Sequence, residues 1–201
     1  MLDNYNITQT TLKVIGLYTN DYKKSLHIRE IARKTDVDVK SIQIQLKKLE
    51  KINILSSVIR GKNKEFSLNQ NIITRYYLIM AECFAVVAYL KRHFLIKKIF
   101  SELDSHIDGT VILFGSYAKG TYTKQSDIDL FVIDDKRVDK KIISKTSDMI
   151  NRDINIKSSN RQQFLNRLYD NDPLVKEVVS NHVILKGADE FCQIMWRNYA
   201  S

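Results

Sequence analysis

Residues 109–133, GTVILFGSYAKGTYTKQSDIDLFVI, constrain this chain more than any other segment. Two apolar runs flank a small, polar stretch, and the second run is interrupted by two aspartates one residue apart. Val111, Ile112, Leu113 and Phe114 read as a short buried strand that Gly115 ends. Ser116–Lys119 can then open a helix, and a glycine corner leading into a helix presents backbone N–H groups that suit a phosphate. In the second strand, alternation puts Asp127 and Asp129 on one face and Ile128 and Leu130 on the other. Two neighbouring carboxylates repel each other unless a cation lies between them, so the pair suits Mg²⁺. If the two strands lie side by side, a metal and a phosphate cradle share one site.

The run GSYAKGTYTKQSDIDL resembles the G-S-x-x-x-G…S-D-x-D-L signature of the DNA polymerase β-like nucleotidyltransferases, in their minimal form. The match is close over residues 115–130 and looser over 106–200. The resemblance implies that Gly115, Ser116, Lys119 and Ser126 bind the nucleotide, with an NTP as substrate. It further implies that Asp127 and Asp129 hold two Mg²⁺ ions, and that an NMP is joined to a hydroxyl with release of pyrophosphate. The family usually takes a third carboxylate from a later strand, here RDINIKS, and that position falls on Asn155. Asparagine can coordinate through its carbonyl but cannot take a proton. Asp153 lies two residues earlier on the same face, about 6.6 Å away, and is the alternative. Either the chemistry is altered, or the domain binds nucleotide without turning it over.

The basic charge sits elsewhere. Residues 1–75 hold 14 Lys and Arg against seven Asp and Glu, while the remaining 126 residues are nearly balanced. That asymmetry points the N-terminal part toward a polyanion. Ile28, Ile31 and Ala32 have helical spacing, turn formers follow at Thr35–Asp38, and a second helix begins near Val39 with Ile42, Leu46 and Leu49 inward. Two strands then flank the basic turn Arg60-Gly61-Lys62-Asn63. Over residues 8–70 the pattern resembles the winged helix-turn-helix family. The resemblance implies DNA contacts from Lys40, Ser41, Gln43, Lys47 and Lys48 on the second helix, and from Arg60, Lys62 and Lys64 on the wing.

Residues 73–105 read as one connecting amphipathic helix without Gly or Pro, whose surplus apolar surface makes a second copy of the chain a candidate partner. The apolar stretch 76–90 contains Glu82 and is shorter than the roughly 20 residues a membrane span needs. With no signal-peptide pattern at the start, and with Cys83 and Cys192 in no paired or metal-binding spacing, the expected location is the cytoplasm, away from membranes. The expected fold is α+β. A winged helix-turn-helix domain spans 1–72, the connecting helix 73–105, and a nucleotidyltransferase fold with a small mixed sheet flanked by helices 106–201. The expected function is Mg²⁺-dependent nucleotidyl transfer to a nucleic acid or protein hydroxyl (RNA included). The alternative is a DNA-binding transcriptional regulator whose nucleotidyltransferase domain is a degenerate nucleotide sensor.

Overall fold

The computed structural model describes residues 7–136 and 138–200. The chain forms two compact units. One comprises the residues up to Phe84 together with those from Met195 on, and the other comprises Ala85–Ile194.

In the first unit, α1 (Gln9–Gly16) starts at a reciprocal cap in which Thr8 and Thr11 satisfy each other's backbone N–H. β1 (Leu26–His27) leads into α2 (Ile28–Thr35), which ends at Asp36 in the left-handed conformation. Asp38 then caps α3 (Val39–Lys51) by accepting from the Ser41 N–H at 2.8 Å. Val14, Ile15, Ile31, Ile42, Leu46 and Leu49 are buried between the three helices. A buried polar link there is the Gln45 amide donating to Thr11 at 2.8 Å. β2 (Leu55–Arg60) and β3 (Asn63–Leu68) form a hairpin whose turn holds Gly61 at φ +61°. The antiparallel sheet has the order β1-β3-β2. Tyr18, fully buried, fastens it to the helices by donating to the Phe66 carbonyl at 2.8 Å.

α4 (Ile72–Arg92) and α5 (Phe94–Leu103) replace the single helix expected over 73–105. The break falls at His93 (φ −118°, ψ 75°), where no glycine or proline marks it. Ring packing holds that residue in place: the imidazole stacks on Tyr89 with centroids 3.9 Å apart and meets Tyr122 edge-on. α4 has 21 residues, and by length and composition it is sufficient to cross a membrane. It is longer than the apolar stretch 76–90 because Ile72 and Ile73 extend its apolar character. Glu82 lies buried within it, while Ile72, Tyr76 and Val87 are left exposed.

The second unit is built on a four-stranded mixed sheet of order β6-β5-β4-β7. β4 (Thr110–Phe114) pairs antiparallel with both β5 (Ile128–Ile133) and β7 (Val183–Lys186), and β5 pairs parallel with β6 (Ile154–Ser159). As central strands covered on both faces, β4 and β5 are apolar almost without interruption. Val111, Leu113, Leu130 and Val132 pack with Ile96, Ile99 and Leu103 of α5. On the other face Phe131 meets Phe164 of α8 (Arg161–Tyr169), which meets Phe191 of α10 (Ala188–Ala200) in edge-to-face contacts. α6 (Gly115–Lys119), α7 (Lys140–Ile150) and α9 (Pro173–Ser180) complete the unit. Within β5, Asp129 is the one residue that is not fully buried.

Candidate active site

The site lies at one edge of the sheet, where β4 ends and β5 and β6 begin. Phe114 of β4 is paired with Asp129 of β5, and Asp129 with Asn155 of β6. The chain leaves β4 through Gly115 at φ +69° and turns directly into α6. Only glycine takes that backbone without strain. Space requires it as well, because a Cβ at Gly115 would run into the Asp129 carboxylate, whose Cγ would lie 3.2 Å away. The glycine corner and the second aspartate are therefore in contact, and the close approach depends on the missing side chain.

Asn155 gathers the two carboxylates. Its amide nitrogen donates to Asp127 Oδ2 and Asp129 Oδ1, each at 3.3 Å. Two anions converging on one polar side chain form a hard, all-oxygen donor set once the amide is turned by half a rotation to present its carbonyl. Asp127 is exposed and Asp129 half-buried. Burial pushes the Asp129 carboxyl above its ordinary pKa, and the Asp127 and Glu177 carboxylates push the same way. The Asn155 hydrogen bond and Lys157 oppose them. This is an environment of negative potential that a divalent cation would relieve.

The other expected residues sit around this centre. The Asp153 carbonyl accepts from the Ile128 N–H at 2.9 Å, and the residue lines an open polar depression of about 490 Å³ together with Ser126 and Asp127. Asn155 and not Asp153 is the residue hydrogen-bonded to the pair. Among the described residues, no three carboxylates, imidazoles or thiols gather into a metal-holding group. Ser126 closes the turn before β5, its hydroxyl accepting from the Thr123 N–H at 2.8 Å. Ser116 is half-exposed in the first turn of α6, where no side chain caps the helix. Lys119 points to α9 and pairs with Glu177 at 2.6 Å. Glu177 and Lys157, which make smaller contributions to the field at Asp129, lie 48 and 28 residues beyond it, and no local pattern announces them.

A family model described as "Nucleotidyltransferase domain" matches residues 95–197, more than half of the chain. The chain belongs to this family. The matched segment holds the whole mixed sheet and every residue of the site above, so the nucleotidyltransferase domain is the unit that carries Gly115, Asp127 and Asp129. No curated protein matches the chain. Among solved structures, a toxin–antitoxin complex with AMP-PNP is 22% identical, over 52% of this chain and 85% of its own, with a TM-score of 0.37. Two mutants of the toxin–antitoxin MntA-HpeT are 22% and 20% identical over the same share of this chain, with TM-scores of 0.35 and 0.37.

In the first unit, Lys40, Ser41, Gln43, Lys47 and Lys48 are all exposed on α3. Lys62 is exposed at the hairpin turn. Arg60 lies 3.6 Å from Glu65, and Lys64 pairs with Glu50 at 3.0 Å while lying over the Phe66 ring. The helix face thus keeps its cations for solvent or a partner, whereas two of the three hairpin cations already have acidic neighbours.

Proposed function

We propose that this protein transfers a nucleotidyl group from an NTP to a hydroxyl. The observation that carries the reading is the convergence of Asp127 and Asp129 on Asn155 beside the Gly115 corner. The corner would receive the triphosphate, with the open first turn of α6 and the Ser116 hydroxyl donating to its oxygens. Asp127 and Asp129 would hold Mg²⁺, with the Asn155 carbonyl as a further neutral ligand. Mg²⁺ bound there supplies positive charge to the attacking and leaving oxygens of an in-line displacement. The acceptor oxygen forms a bond to the α-phosphorus, the bond from that phosphorus to the bridging oxygen breaks, and pyrophosphate leaves. Asn155 cannot take the acceptor's proton, and we assign that role to Asp153, a carboxylate on the same depression as Asp127. Lys119 enters only by exchanging Glu177 for a phosphate.

The first unit supports a second activity. Three helices, a three-stranded sheet and a basic hairpin in this order suit a winged helix-turn-helix, and the exposed Lys40, Ser41, Gln43, Lys47 and Lys48 suit a helix laid in the major groove. Lysines would bind phosphates, and Gln43 a base edge. A regulator whose nucleotidyltransferase domain only senses nucleotide is the second reading, and the observation favouring it is Asn155 at the third acidic position.

Incubation with Mg²⁺ and an α-labelled NTP separates them. Transfer predicts pyrophosphate release and label left on an acceptor, both abolished by Asp127→Asn. DNA binding with no pyrophosphate from the wild-type chain would favour the sensor.

A further inference from the structure

Two depressions open side by side on the unit of Ala85–Ile194. The first, described above, is lined by Asp127 and Asp153. The second, of about 450 Å³, is lined by Arg92, Phe94, Tyr117 and Tyr122. Lys124 and Arg152 line both, so the two depressions adjoin at a pair of cations.

The walls of the second depression are fixed rings. Tyr117 and Tyr122 stack with centroids 4.3 Å apart and planes 6° from parallel. His93 stacks on Tyr89, its Nδ1 lies 3.4 Å from the Tyr122 hydroxyl, and Tyr89 donates to the Tyr117 carbonyl at 3.1 Å. Burial, and then the Arg92 charge, hold His93 below its ordinary pKa, which favours the neutral ring. At the rim, Phe94 is 76% exposed and Tyr122 40% exposed, an unusual amount of aromatic surface to leave in water. Arg92, Lys124 and Arg152 have no acidic partner among the described residues, whereas Lys119, Lys136 and Lys186 of the same unit each do.

Exposed π-faces interleaved with uncommitted cations match a ligand with unstacked bases and a phosphate backbone. A duplex hides its base faces, and an acidic peptide would use the cations but leave the rings idle. We propose that this depression holds an unpaired nucleotide of a single-stranded polynucleotide, whose terminal hydroxyl passes the Lys124–Arg152 rim to reach the Asp127 side. The role as acceptor rests on the transfer reading above. The binding itself does not.

Binding is therefore measured without turnover, by fluorescence anisotropy of short labelled DNA and RNA single strands in EDTA. The full chain carries Lys47→Ala and Lys48→Ala, so that α3 contributes little. A duplex and an acidic peptide serve as competing probes. Single strands should bind more tightly than either. Tyr122→Ala and Phe94→Ala should each weaken them about tenfold or more, while Tyr122→Trp, which keeps a stacking face, should not. Arg152→Ala should reduce the salt slope by about 0.7. Unchanged melting temperatures separate these losses from misfolding, and Phe94 is exposed enough to be removed without touching the core. Single-strand binding indifferent to Tyr122 and Phe94 would overturn the proposal, as would a preference for duplex or peptide. Binding as expected with no pyrophosphate release under Mg²⁺ and NTP would leave this proposal standing and remove the transfer reading.

Discussion

Gly115 occupies a left-handed backbone with the Asp129 carboxylate against its α-carbon, so two independent costs meet any side chain placed there. Gly115→Ala is expected to lose about 1–3 kcal/mol from the backbone alone. Displacing Asp129 should add to that, and urea denaturation measures the sum. A loss of nucleotide binding larger than the loss of stability would locate the defect at the corner. Asn155→Asp tests the neighbouring position. A third carboxylate in place of an amide that donates to both aspartates turns two hydrogen bonds into repulsion, so the melting temperature should fall without Mg²⁺ and recover with it. Turnover should rise, because the third position then offers a base. At this scale the sequence exposes Asp127 and Asp129 well, since a period of two is a local property. Lys119 shows the limit: its partner Glu177 lies 58 residues away, and only the folded packing of α9 brings it near.

At the scale of elements, α9 links the site to its surroundings through Glu177, and Asp172 starts it. The Asp172 side chain accepts from the Val175 N–H at 3.0 Å and from the Arg167 guanidinium. The Val175 hydrogen bond, above all, holds the carboxyl below its ordinary pKa. A depressed carboxylate stabilises the fold above its unfolded pKa, and that contribution disappears as pH falls through the folded value. Asp172→Ala should therefore lower the melting temperature at neutral pH. The gap from wild type should close on acidification below the carboxylate range, as thermal melts across pH will show. The start of this helix is legible because Asp172-Pro173 is a local signal. The break at His93 is not legible. Nothing in residues 73–105 interrupts helical propensity, and the rings that fix His93 come partly from Tyr122.

At the scale of the whole molecule, the formal charge of +9 is concentrated in residues 1–75, while the nucleotidyltransferase unit is nearly balanced and holds a local centre of negative potential. The charge asymmetry is readable from the sequence. Which cations remain available is not, because the ion pairs of Arg60 and Lys64 depend on the fold. If α3 meets DNA phosphates, replacing Lys47 and Lys48 with alanine should weaken binding to all sequences alike and reduce the salt slope by about two. Gln43→Ala should instead relax sequence preference, and titrations at several salt concentrations distinguish the two effects. Nucleotidyl transfer here requires a cation and a triphosphate to meet between Gly115, Asp127 and Asp129. A crystal structure of the protein with Mg²⁺ and a non-hydrolysable NTP tests this most directly. It should show the metal on both aspartates and the phosphates against residues 115–116, and a nucleotide bound elsewhere, with Asp127 and Asp129 still held by Asn155 alone, would contradict it.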